Sequence, residues 1–435
     1  MYDRSPSTPF PDVEDAGKPV RLEGSDAIAA AAYRGAVTAA DAYRSVRAAV
    51  RVDGEVLRIG NRFVSRRQYK EVAFLSVGNA AVSQALAVSH ALGEAVTQGF
   101  VAGPDPLPEE VPFKSAIVPR GWPGSVAGTK AAHEALELAE GLGERDLFLV
   151  LLSPGALAAL AIAPGGMDSG EWVRPLRETL HAGASSAEVA LLARLTGAGC
   201  VAGRLAAAAR AADTVTLVVE RGEGGHLIGG GPTCYPSAAE RQAGRGVLER
   251  TGQWSALSPA LRRAVLEGEA LRAETPGAAR PNRPVVVAGP PDALRGAADA
   301  VEEKRWLPRL LALHLSGNPA DAARRLLDRF DEVASAEGTI PSDRKGMVGF
   351  AATTLEVLEG DDERDAMRSF LTEATNGLRH RDASVALLRT CGAGKGDAPA
   401  GAIAGPGSPT GAARSLGMRS GVTDVGMLAL LLRPK

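Results

Sequence analysis

Three apolar runs in this 435-residue chain each end in a glycine-bearing turn and lead toward a helix-like stretch. Residues 72–77 run into Gly78 and Asn79, and residues 147–152 into Ser153, Pro154 and Gly155. Residues 215–219 run into Glu220, and their turn closes in Gly229, Gly230, Gly231, Pro232 and Thr233. A strand that hands over through glycine to a helix N-terminus makes an anion site, because free backbone N–H groups and the helix dipole point at the ligand. The glycines allow close backbone approach, and Thr233 supplies a hydroxyl. The cationic side chains a phosphate would want are largely missing from these turns. Taken alone, residues 229–233 read as a tight structural turn.

Other chemistries find less support. The six histidines form no H-x-x-x-H pair and lie near no cysteine, so they read as surface or capped residues rather than metal ligands. No G-x-S-x-G elbow is present to anchor a hydrolase triad. Residues 124–130 order their glycines, Thr129 and Lys130 wrongly for a phosphate-binding loop, and read as a helix N-terminus with Lys130 in its first turns. Gly197, Gly199 and Gly203 have the spacing of a loose dinucleotide turn, but they follow a helical pattern instead of a strand.

The elements that would position these turns alternate. A helical pattern runs from Ser25 and Asp26 to about Val50, followed by strands at 55–59 and 72–77, helix 80–97, strand 115–118, helix 126–141 and strand 147–152. Helical patterns resume over 171–212, strand 215–219 follows, and helices cover 237–249 and 258–272. The expected class is α/β, a Rossmann-like, doubly wound and mostly parallel sheet with a second, smaller α/β domain. The boundaries read as a loose leader over 1–23, the larger domain over 24–274, a proline-rich linker over 275–284 and the smaller domain over 285–435. Strand 285–288 is expected to open that second region. Helices at 291–303, 318–336 and 363–378, strands near 347–357 and 384–389, a long loop over 391–411 and a buried strand over 427–432 complete it.

Composition bounds the partners. Net charge is −2 and the sequence pI is about 6.4, so no basic stripe is expected to hold nucleic acid, and with only eight lysines among 49 basic residues any phosphate-site lysine comes from a short list. Three scattered cysteines argue for a reducing compartment without disulfides. The uncharged run 147–164 is broken by Pro154, Gly155 and Pro164, and reads as strand–turn–helix in a buried core rather than a membrane span. The expected location is the cytoplasm, with no membrane partner.

In order along the chain, the segments 77–81, 121–123, 152–155, 183–184, 228–233, 353–354 and 421–428 resemble the motifs of the glycerate 2-kinase family. That resemblance implies a Rossmann-like domain followed by a smaller MOFRL-like α/β domain. It also implies ATP- and Mg²⁺-dependent phosphoryl transfer to the 2-hydroxyl of glycerate or a related small hydroxy acid, in the cleft between the domains. It places catalytic roles on Arg364, Glu220 and Glu223. Contacts to nucleotide, phosphate or substrate fall on Gly78, Asn79, Ser153, Gly155, Arg194, Gly230, Gly231, Thr233 and Lys395, with no metal ligand assigned.

The departures from the family pattern concentrate on charge. The family's G-K-A lysine falls on Asn79, its K-G-G lysine on Val201 and its G-G-E-T-T-V carboxylate on Ala352. The S-D-V aspartate falls on or beside Val219, with Glu220 and Glu223 as stand-ins. Arg194, Arg204, Arg221 and Lys395 lie near matched positions and are the available replacements for lost cations. Two functions follow: a diverged kinase that binds ATP, Mg²⁺ and a hydroxy acid, or a catalytically inactive descendant that binds a ligand or partner in the old cleft. An oxidoreductase rests on fold analogy alone and ranks last. A homodimer stays open.

Overall fold

The computed structural model describes residues 24–209, 212–222, 224–266, 283–355, 363–378, 381–389, 399–404, 414–419 and 427–435. It opens with two helices, α1 (Gly24–Ala39) and α2 (Ala42–Ala49), where one continuous helix was expected. The break falls at Asp41, whose carboxylate caps α2 by accepting from the Arg44 N–H at 2.7 Å. Three four-residue strands follow, β1 (Val50–Asp53), β2 (Val56–Ile59) and β3 (Arg62–Ser65), paired antiparallel in a small separate sheet.

The first large sheet then forms from β4 (Glu71–Val77), β5 (Gln98–Gly103), β6 (Lys114–Ile117) and β7 (Asp146–Leu152), with helices α3 (Ala81–Leu92) and α4 (Val126–Glu140) in the crossovers. After β7 come α5 (Ala156–Leu160), α6 (Ser169–His181), α7 (Ser186–Thr196) and α8 (Arg204–Ala208), with a two-stranded ribbon of β8 (Ala161–Ile162) and β9 (Ala198–Gly199). Strand β10 (Asp213–Val219), helices α9 (Ala238–Arg250) and α10 (Pro259–Leu266), and strand β11 (Val285–Ala288) complete this half. The sheet order is β11-β10-β7-β4-β5-β6 and every pairing is parallel. Numbered within the sheet, that is the doubly wound order 3-2-1-4-5-6 of the Rossmann fold.

Two expectations are corrected here. Strand β5 was not anticipated, since Gly99 and Gly103 dilute its apolar signal. Val285–Ala288 does not open the second region; it pairs with β10 as the outer strand of the first sheet. The run 147–164 does form strand, turn and helix, and β7 is buried at all seven positions, as a strand covered on both faces must be. Among the described residues no helix is long and apolar enough to cross a membrane.

The second half contains α11 (Pro290–Glu302), β12 (Leu307–Gly317), α12 (Pro319–Glu337), β13 (Gly346–Leu355), α13 (Glu363–Gly377), β14 (Ser384–Arg389), β15 (Pro399–Ala404), β16 (Arg414–Arg419) and β17 (Met427–Pro434). Its sheet runs β12-β13-β17-β14-β15-β16 and is mixed, with only β12–β13 parallel. Strands β12 and β15 stand where no strand was expected, β15 inside the glycine-rich stretch read as a loop.

Strand β17 is central and buried on both faces. Leu428, Leu430 and Leu432 pack with α1 and α11, while Met427, Ala429 and Leu431 pack with α12 and α13. Helix α1, first in the chain, therefore covers the last sheet. It lies against α11 at a glycine crossing, where a Cβ on Gly35 would stand 2.1 Å from the Gly296 carbonyl oxygen and one on Gly296 would stand 2.3 Å from that of Gly35. The same apolar core takes in Ala80, Val219 and Ala288 from the carboxyl ends of the first sheet. The two halves thus share one core.

Because the obstructing atoms at that crossing are backbone, Gly35→Ala is expected to destabilise the protein by about 1–3 kcal/mol. Urea unfolding of the variant against the parent measures this directly.

Candidate functional site

In an open α/β sheet the ligand crevice lies outside the carboxyl ends of the strands where the winding direction reverses. Here that point falls between β4 and β7, whose last paired residues are Val77 and Leu152. Gly78, Asn79, Ser153 and Gly155, singled out from the sequence, all meet at this corner.

The corner is closed by its own hydrogen bonds. Ser153 is fully buried, and its N–H donates to the Val77 carbonyl at 3.0 Å. The Ser153 hydroxyl donates to that same carbonyl at 3.1 Å and accepts from the Ala80 N–H at 3.0 Å. The Asn79 N–H donates to the Pro154 carbonyl at 2.8 Å, and the Ala81 N–H to the Gly78 carbonyl at 3.1 Å. The Asn79, Ala80 and Ala81 N–H groups are thereby satisfied internally, and no side chain caps α3. Gly78 holds φ +113°, and a Cβ there would stand 2.3 Å from the Ser153 carbonyl oxygen, so only glycine fits. The Asn79 side chain folds across the turn, where a Cβ on Gly155 would lie 2.8 Å from its Oδ1.

The second glycine turn is also packed. Gly229, Gly230 and Gly231 all hold positive φ, at 65°, 74° and 61°. The Gly230 carbonyl accepts from the Ala202 N–H and that of Gly231 from the Gly203 N–H, each at 2.9 Å. A Cβ on Gly230 would stand 2.6 Å from Val201 Cγ1, and one on Gly231 would stand 2.7 Å from Arg194 Nε. The hydroxyl of buried Thr233 is paired with that of Thr216 at 2.8 Å. A tight structural turn describes this segment.

Arg194 is 1 % exposed, on α7. Its guanidinium is paired with Glu240 of α9 and donates to the Cys234 carbonyl at 2.8 Å, while Nε has no partner. Burial pulls Arg194 below its ordinary value, against the carboxylate of Glu240. Burial also pushes Glu240 upward, but the Ser237 N–H, the Arg194 guanidinium and the Ser237 hydroxyl outweigh it and hold Glu240 low. His226 stands 3.6 Å from the same carboxylate. Arg204 donates to the Gly197 carbonyl at 2.8 Å. These two arginines are built into α7 and the turns beside it. Arg221 is half-buried in the loop after β10.

Glu220 follows β10, its N–H donating to the Ala288 carbonyl at 2.9 Å. Its carboxyl lies by the N-terminus of α11, 3.4 Å from where a Cβ on Gly289 would stand, and is pushed above the ordinary range by burial and then by Asp292. Glu223 and Lys395 lie outside the described residues. Arg364 falls in the first turn of α13, and its side chain is likewise outside them.

His314 is hydrogen-bonded, in keeping with the expectation of surface or capped histidines. It sits on β12, half-buried, with Nε2 3.1 Å from the Thr354 hydroxyl and its ring against the Gly222 backbone. Burial lowers its pKa. The only available signal was period-two alternation in 307–317, which consecutive leucines obscure. Among the described residues no group of three His, Cys, Asp or Glu side chains is placed to hold a metal ion.

A family model described as a domain of unknown function, DUF4147, matches residues 28–266, which is more than half of the chain. The chain belongs to the DUF4147 family. Two solved structures share its fold: the PH0495 protein of Pyrococcus horikoshii OT3 and a glycerate kinase of Thermotoga maritima. The first superposes with a TM-score of 0.66 at 18 % identity over 96 % of this chain and all of that one. The second gives 0.65 at 19 % identity over 94 % of this chain and 99 % of that one. No curated protein matches the sequence. The DUF4147 member described here is glycerate kinase-like in fold.

The Arg194–Glu240 pair gives a pH-dependent prediction. The folded pKa of Glu240 lies below its ordinary 4.5, so its contribution to stability is complete above that pH and is lost as pH falls through the folded value. Glu240→Gln leaves buried Arg194 without a counter-charge and is expected to destabilise the neutral-pH protein by about 3–5 kcal/mol. Denaturant unfolding across the acid range should show this part of the pH dependence missing from the variant.

Proposed function

We propose that this glycerate kinase-like protein has given up phosphoryl transfer and serves as a binding protein whose ligand or partner occupies the region between its two sheets. The observation that carries this reading is the corner between β4 and β7. Three successive N–H groups, of Asn79, Ala80 and Ala81, donate to the protein's own oxygens, and neutral Asn79 stands where the family resemblance calls for a lysine. Phosphoryl transfer depends on donors and cations aimed at developing charge, and removing one such group typically costs about 10²–10³ in rate. Of the described replacements, Arg194 is tied to Glu240 and the Cys234 carbonyl, and Arg204 to the Gly197 carbonyl.

A ligand bound at about a hundred times its Kd stabilises the native state by about 2.7 kcal/mol. The melting temperature of the purified protein should not move with millimolar ATP and Mg²⁺, and glycerate with ATP should yield no phosphoglycerate above the enzyme-free rate. A rise in melting temperature together with product formation would overturn the proposal.

Glu220 favours a second reading. A carboxylate raised by burial at the carboxyl end of β10 is a better proton acceptor than an ordinary one. On that reading the protein remains a phosphotransferase for a small hydroxy acid, using ATP and Mg²⁺, with Glu220 taking the hydroxyl proton. Activity would then rise with pH through the elevated Glu220 pKa, and Glu220→Gln would lower kcat by about 10²–10⁴ and abolish that limb. An unchanged profile in the variant would remove this reading.

A further inference from the structure

Positive charge is concentrated in one stretch of the chain. Residues 44–70 hold eight basic and two acidic side chains, a net of +6 in a protein whose total is −2, so the remainder carries −8. This stretch forms the end of α2, the small β1–β2–β3 sheet and the approach to β4.

The sheet has two unlike faces. Leu57 and Ile59 are fully buried against the first domain. On the opposite face the register sets Arg51 directly across from Arg58, and Arg58 directly across from Phe63. Asp53, Val56 and Ser65 form the next row of that face. Phe63 is 70 % exposed and Val56 43 % exposed, and the Arg58 guanidinium lies 5.9 Å from the centre of the Phe63 ring. Neighbouring charges are engaged: Arg62 holds Asp213 in a two-point pair, and Arg67 pairs with Glu55. Among the described residues neither Arg51 nor Arg58 forms an ion pair. Like charges placed directly across an antiparallel pair repel, with Cβ atoms about 4.5–5.5 Å apart. An exposed aromatic beside that pair adds a second unfavourable feature. A negatively charged partner with some apolar surface would relieve both.

We propose that the outer face of the β1–β2–β3 sheet is a docking surface for an acidic, partly apolar segment of another protein. The basic side chains of the face are arginines beside an aromatic ring, the composition that anchors protein interfaces. Four-residue strands make a face only about 13 Å long. A short acidic segment stays within it, whereas a long polyanion would run onto the net negative remainder of the molecule. An extended segment with alternating acidic and apolar residues would present its carboxylates to Arg51 and Arg58 and its apolar side chains to Val56 and Phe63. This surface does not depend on the proposed loss of phosphoryl transfer.

Fluorescence anisotropy with the full-length protein tests the proposal, using a labelled short peptide of alternating glutamate and leucine and, separately, oligothymidylate. Saturable binding of the peptide is expected, weakened by rising salt. The double variant Arg51→Ser, Arg58→Ser should raise the peptide Kd about tenfold or more, and Phe63→Ser should weaken it as well. Arg51→Glu should also weaken the peptide while melting at or above the parent temperature, because it turns the cross-strand repulsion into an attraction. That readout separates lost binding from lost folding. Tighter binding of oligothymidylate than of peptide would assign the face to nucleic acid and overturn the proposal. So would absence of peptide binding at low salt, or equal binding by the double variant.

Discussion

The first sheet depends on the contact between the carboxyl ends of β4 and β7. There Ser153 uses its N–H and its hydroxyl on the Val77 carbonyl and accepts the Ala80 N–H. Each such bond contributes only about 1 kcal/mol net, but leaving a buried donor unmet costs about 1–3 kcal/mol, so the closed arrangement is strongly preferred once the corner is dry. Gly78 permits the approach, because any side chain there would collide with Ser153. The same contact that joins the two inner strands also takes up the Ala80 N–H.

The second constraint is the shared core. Helix α1 precedes the first sheet in sequence yet covers the second, held to α11 by backbone-to-backbone approach at Gly35 and Gly296. Ala80, Val219 and Ala288, at the ends of β4, β10 and β11, pack into that same core. An apolar seam that continuous opposes the independent movement of two loosely joined domains. Glu220 and His314 lie at this junction, on loop and strand respectively, with Gly222 against the imidazole.

Charge in the molecule is deployed structurally inside and unevenly outside. Arg194 and Glu240 tie α7 to α9 in a buried pair, and Arg204 is engaged by the Gly197 carbonyl. Removing one member of a buried pair costs far more than the pair itself contributes, so such groups persist whatever the protein binds. Among the described residues, Arg51 and Arg58 on the β1–β2–β3 face form no ion pair.

The sequence alone determined the α/β class, the mostly parallel sheet and the glycine turns that end its apolar strands, because buried parallel strands are continuous apolar runs and tight turns require glycine. Tertiary structure decided what local pattern cannot encode. It set Val285–Ala288 in the first sheet, brought α1 onto the second, and formed β5, β12 and β15 from stretches whose glycines or consecutive leucines mask the two-residue period. It turned the Ser153 hydroxyl inward, closed Arg194 on a glutamate 46 residues away and placed His314 against Gly222. Whether a polar group faces a ligand or its own protein depends on partners distant in sequence, and only packing brings those partners together.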